Sequence, residues 1–426
     1  MKVLRSLALL SAFSAAIACA GTASAQNSIG RIGDVSIPQV TVNFGMEPYP
    51  PHTDAIIGLD KGWFKDVGID LQWKNVQADQ VAPLLIAGTV DVASAAPALL
   101  IPSMRQAKFD SFVFGDIFQA YAIMAQPDAG YKSYKDFIAE GKAPADALKA
   151  AMQQLKGKVF TYPAEAAVKP FIQLLFKRGD LALEDTTTEV QPDPNGVALM
   201  LSKRADFEIG GLPARITLEQ AGYKQIVTAA DLASAATASP DSEELRSITH
   251  VGWTTTQKYA AANHDTLLRL ASVKFRIVQY QKDHMDDAIA IHLPFLNKLA
   301  GTTSKPEDLK VIYTTLDPGF TFKQQASWFN DPKDPFYWSY EIDSIIKSYA
   351  EQGLFKVGEF KAADISTTNT IYQELDRYRQ QAEADIAKLK GATGQAAEFR
   401  DAAQKQFDAF DFLDASRYAA AGVKAH

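Results

Sequence analysis

Two carboxylates, Glu47 and Glu165, stand out among the residues able to do chemistry, because each sits between an apolar strand-like run and a helical pattern. A carboxylate in such a turn accepts hydrogen bonds and pairs with cations, and it repels anions at a high desolvation cost when buried. For Glu165 a plainer role is open as well, a place in the first helical turn facing water and serving the helix dipole. The other candidate ligand contacts in or beside the same turns are Tyr49, His52, Ser94, Phe118, Gln119, Tyr162, Gly211 and Trp253, with Tyr121 as a further aromatic neighbour. Ser94 offers a hydroxyl beside open backbone N–H groups, unless it only caps its own helix. Each aromatic taken alone is more often core than site, and it is their coincidence with the turns that makes them candidates. An apolar pocket with a few placed polar groups suits a neutral or amine-bearing, ring-containing organic molecule.

Catalytic constellations are missing from the sequence. His52, His250, His264, His284 and His292 are scattered, and no H-E-x-x-H, G-x-S-x-G, Walker loop or glycine-rich dinucleotide turn occurs. His284 and His292, on one expected helix, read as ordinary surface or core histidines. Cys19 is the one cysteine, so a chain cleaved after residue 25 has neither thiol chemistry nor disulfides. No catalytic residue, cofactor or metal site is therefore expected. The formal net charge is −7 with no long basic run, which argues against nucleic acid as a partner.

The elements that must position these residues follow from periodicity. Residues 1–25 carry Lys2 and Arg5, an apolar run too short to span a bilayer and the small-residue site Ala23-Ser24-Ala25, which reads as an export signal with a mature start at Gln26. Lipidation at Cys19 is the minor alternative. Val40, Val42 and Phe44 alternate as a strand, a proline-stiffened loop runs to His52, a helix capped by Thr53 or Asp54 follows, and Ile69, Leu71 and Trp73 form the next strand. A helix over 78–87 and a buried strand over 90–94 complete the first unit. Residues 109–125 read as a strand, a pivot and a second strand that crosses between two halves, and residues 247–255 as the return crossing. The order then recurs: strand 159–162, helix 166–178, strand 188–190, helix 195–203 and strand 206–209, with Val90-Asp91 leading to Pro97-Ala98 as Ala205-Asp206 leads to Pro213-Ala214. Two equivalent halves argue for two facing lobes rather than one large domain. A polar helical stretch fills 127–158, helices fill 263–300 and 342–354, and residues 369–389 and 395–418 form a helical hairpin.

The run from Ala55 to Asp70 with its G-W-F-K-D-V-G-I-D turn, followed by I-A-G-T-V-D-V-A-S over 86–94, resembles the solute-binding proteins of nitrate, sulfonate, taurine and thiamine-precursor ABC transporters. The resemblance spreads over roughly residues 39–360. It implies an α/β fold, the type II periplasmic-binding-protein clamp, each lobe a mixed sheet flanked by helices, here with a C-terminal helical extension. On that reading the first lobe comprises residues 36–119 and 252–360, the second 126–247 and the extension 365–426. The resemblance further implies a monomeric periplasmic protein, not an enzyme, that hands a small organic solute to an inner-membrane ABC permease. A ligand-binding sensor module of the same fold is the alternative. Pyrimidine-synthesising enzymes resembling this fold carry a cysteine-rich motif and are intracellular, and both features point away. Glu47 and Glu165 depart from what a nitrate or sulfonate binder needs, small polar residues and free N–H groups.

Overall fold

The computed structural model describes residues 28–426; the expected export signal, Cys19 and the start at Gln26 lie outside the described residues. The chain opens with an antiparallel hairpin, β1 (Ser28–Ile32) and β2 (Val35–Pro38). The next strands are β3 (Val40–Met46), β4 (Ile69–Asn75), β5 (Val92–Ser94) and the long β6 (Phe109–Phe118). The chain crosses at residues 119–121 into β7 (Ala122–Ala125), β8 (Val159–Tyr162), β9 (Thr187–Val190), β10 (Phe207–Ile209) and β11 (Lys224–Thr228), then returns as β12 (Thr249–Thr256).

Two five-stranded sheets result, ordered β4-β3-β5-β12-β6 and β11-β7-β10-β8-β9. Reversing the second gives the same plan: a first strand flanked by its second and third in parallel, then an antiparallel strand arriving from the other sheet. The recurrence in the sequence is thus a repeat of topology. The first crossing lies inside the apolar run 109–125, while the return is made between β11 and β12 and not by the expected 247–255 strand, which from Thr249 onward pairs with β5 and β6. The pivot lies at 119–121 alone, because β6 continues through Gly115 and Asp116 with only an irregularity in its pairing to β12.

The first helix begins at Pro50 rather than at Asp54, since Pro50 and Pro51 occupy the first helical positions, where a missing N–H costs nothing, and Tyr49 is the extended cap. Trp253 on β12 is fully buried, its ring centroid 5.1 Å from Phe44 edge-on and 6.0 Å from Phe64 in a stack. This corrects the expectation of a ligand contact there. β12 is the inner strand between β5 and β6 and is covered on both faces, so its largest side chain fills the core.

The C-terminal region has three helices, not the two of a hairpin: Thr368–Lys388, Gly394–Asp408 and Phe412–Ala425. The break comes at Phe410, whose φ of 66° is incompatible with a continuing helix, and Asp411 caps the new one through the Asp414 amide. The extension is joined to the first sheet, because Ser111 at the β6 edge exchanges backbone hydrogen bonds with Ile365 and Thr367 at 2.8 and 3.0 Å. The opening hairpin covers its other side, with Ile37 packed among Phe399, Ala403 and Tyr418.

Candidate functional site

Where the two sheets face one another, six of the sequence candidates border a single cavity: Glu47, Tyr49 and His52 from the first lobe, Phe118 from the crossing, Glu165 and Gly211 from the second lobe. Tyr121 joins them. The topology accounts for this, since Glu47 follows the carboxyl end of β3, Glu165 that of β8, and Gly211 that of β10, and open α/β sheets bind ligands at such ends. The space is about 30 Å³, room for one or two waters.

Ser94 does not border the cavity; it is buried at the end of β5 with its Oγ 3.2 Å from His52 Nδ1. It does not cap its own helix either, because the cap of the helix Pro97–Leu100 is Ala96. Its contact is with the His52 ring, which burial and the nearby Lys274 charge push down to about 3, so the imidazole is neutral. Gln119 is turned away as well, donating to the Thr315 carbonyl at 2.8 Å and bracing the pivot. Tyr162, outside the cavity lining, stacks on Phe160 at 5.4 Å. His292, far from pairing with His284, is buried 2.7 Å from Thr53 Oγ1 and steadies the helix that carries His52.

The dipole role for Glu165 is not met, because the following helix starts only at Lys169 and has no acidic residue in its first turn. Glu165 instead lies half-buried in the turn before it, its carboxyl pushed up to about 8 by desolvation and then by the charge of Asp193. Glu47 is 1% exposed with Oε1 lacking any hydrogen-bond partner; desolvation and then Glu165 raise its carboxyl well above the usual range. Tyr49 is held in its phenol form by burial and by Glu165, Asp193 and Glu47.

Two acids in this group escaped the sequence reading. Asp193 opens the helix Asp193–Leu201 after β9, accepts the Gly211 amide at 2.8 Å through Oδ2 and is raised by burial to about 6. Glu208 on β10 is buried, with Oε2 unpartnered, and is raised by burial and by Asp193. Asp193 could have been found: placing the helix start at residue 193 instead of 195 puts an acid in the third strand-to-helix turn. Among the described residues no Lys or Arg charge offsets these four acids, and no group of three His, Cys, Asp or Glu side chains is arranged for a metal ion. Four acids with no cation beside them, next to aromatic faces, can accept several hydrogen bonds and favour a cation over an anion.

Comparison with known proteins supports the architecture. The periplasmic nitrate-binding protein NrtA from Synechocystis PCC 6803 is 13% identical, with 79% of this chain and 88% of that one covered at a TM-score of 0.56. The ligand-binding component of an ABC-type import system from Staphylococcus aureus is 12% identical, covering 79% and 99% at 0.54. The periplasmic aliphatic sulphonate-binding protein SsuA from Escherichia coli is 13% identical, covering 66% and 85% at 0.50. At such identities the likeness is one of fold, the type II periplasmic-binding-protein clamp. No curated protein matches the sequence. Residues 49–284, more than half of the chain and including both crossings and every acid of the cleft except Glu47, match the family described as NMT1/THI5 like, and the chain belongs to that family.

Proposed function

We propose that this protein is the exported solute-binding component of an ABC importer, a monomer that captures a small organic solute bearing hydrogen-bond donors or a positive charge and presents it to a membrane permease. The lobes that close are residues 36–119 with 252–360, and residues 126–247. The observation that carries the reading is the pairing of Glu47 and Glu165 across the cleft, one from each lobe, close enough that the charge of Glu165 raises Glu47. A nitrate or sulfonate placed there meets acids instead of free N–H groups. A donor or cation satisfies the stranded Glu47 Oε1, and the rings of Tyr49, Phe118 and Tyr121 cover an organic body. Binding is expected to return the solute unchanged, since the one hydroxyl on the His52 ring, Ser94 Oγ, lies behind that ring and does not border the cavity.

Charge-assisted hydrogen bonds contribute about 1.5–3 kcal/mol each when desolvated, so Glu165→Gln weakens binding roughly tenfold to a hundredfold. Calorimetric titration of both proteins with the solute that copurifies checks this. Equal affinities overturn the reading.

A further inference from the structure

The second lobe carries two acids that the Glu47–Glu165 pair leaves unused. Glu208 lies on β10 directly across from Thr161 on β8, and Glu208 Oε2 and Thr161 Oγ1 are both buried without a partner. Asp193 is 9% exposed and spends Oδ2 on the Gly211 amide, while its Oδ1 has no partner.

The neighbouring glycines show how these atoms converge. A Cβ built on Gly210 meets Glu208 Oε1 at 2.2 Å and Asp193 Oδ1 at 3.0 Å. One point therefore touches both carboxylates, and the two oxygens lie within about 5 Å of each other, a gap that one ammonium with N–H···O contacts of about 2.8 Å on either side can bridge. The inner acids approach the cleft wall at Gly211, where a Cβ would stand 2.7 Å from Asp193 Oδ2 and 3.2 Å from Tyr49 Cε1. Gly211 borders the cavity, and with no side chain at 210 or 211 only these two close-packed glycines separate it from the inner acids.

We propose that Asp193, Glu208 and Thr161 form a second cation subsite of the cleft, and that the preferred solute carries two basic nitrogens, one between Glu47 and Glu165 and the other between Asp193 and Glu208. This rests on the reading of the cleft as a cation site. One positive charge leaves the remaining acids facing each other without a counter-charge; two basic nitrogens supply donors to both pairs. Thr161 Oγ1 accepts from the inner nitrogen or donates to Glu208. Lys274, the ammonium near His52, does not serve either pair, because it is bound to Asp54 and Asp116 at 2.7 and 3.1 Å.

The test compares matched amines on the full exported chain freed of copurified solute: butylamine against 1,4-diaminobutane, and benzylamine against 1,4-bis(aminomethyl)benzene, by calorimetric titration. The wild type is expected to bind each diamine at least tenfold more tightly than its monoamine, and Glu208→Gln and Asp193→Asn to bring that ratio to about one. The wild-type ratio needs no variant, so a variant that fails to fold does not spoil the test. Monoamine and diamine bound equally by the wild type overturns the second subsite and leaves the cation reading standing. If neither class binds, both fall.

Discussion

Gly211 of the second lobe lies directly against Tyr49 of the first, so closely that a single methyl group at Gly211 stands 3.2 Å from the Tyr49 ring. The backbone at Gly211 is extended, with φ −69°, so alanine is tolerated there by the chain itself. Gly211→Ala sets a methyl against the Tyr49 ring and, closer still, 2.7 Å from Asp193 Oδ2, and is expected to weaken solute binding at least tenfold, while the melting temperature shifts by only a few degrees. Calorimetry with a parallel melt checks both, and unchanged affinity shows that closure does not bring these two residues together.

Affinity depends on pH with a defined sign. Glu165 sits at about 8 and Asp193 at about 6, so near neutral pH Glu165 is largely protonated, and a cationic solute must expel that proton. Its affinity rises from pH 6 to pH 8, by up to about tenfold per pH unit for each proton released. Titrations in buffers of different ionisation enthalpy count the protons. A solute held by the protonated carboxyl as a donor gives the opposite slope.

The same shift acts on stability. The Glu165 carboxyl is raised from 4.5 to about 8 on folding, so its contribution is complete below 4.5 and is lost as pH rises through 8. Urea unfolding across that window follows the loss, and Glu165→Gln is expected to flatten the profile.

Beneath the helix that carries His52, Lys274 is fully buried between Asp54 and Asp116, and the lack of a side chain at Gly115 makes room for its stem. Lys274→Met leaves two buried acids without a cation and is expected to cost about 3–5 kcal/mol at pH 8. Asp116 is raised to about 6 even beside the lysine, so part of that loss returns at pH 5, where the acids protonate. Unfolding at the two pH values measures the difference.

The C-terminal helices are a buttress on this account. Arg269 on the helix His264–Asp283 makes a buried two-point pair with Asp414 at 2.7 and 3.0 Å. Asp414→Ala leaves the guanidinium buried and unpaired, with an expected cost of about 3–5 kcal/mol and no change in solute affinity, since neither residue borders the cleft. Denaturant unfolding and titration separate the two effects.

The strand-helix repeat was legible because runs such as Val40, Val42 and Phe44 declare a strand locally, and because the two halves repeat the order of their elements. The faces of doubly covered strands were not. On β12 both faces are apolar, so alternation cannot say whether Trp253 points to ligand or to core, and only its packing on Phe44 and Phe64 decides. Glu208 is one polar residue in a three-residue strand, and its burial depends on Thr161 of the neighbouring strand and on Gly196 of the preceding helix, packing that strand alternation does not report. The opening hairpin went unread for a similar reason: Ile37 is covered by Phe399 and Tyr418, more than three hundred residues distant.

The most direct measurement is the identity of the solute itself. The protein is purified from its native host without added ligand and denatured, and the released small molecules are identified by mass spectrometry. The account predicts an organic molecule with basic nitrogen in near-stoichiometric amount. Release of nitrate, a sulfonate or another anion in that amount contradicts it.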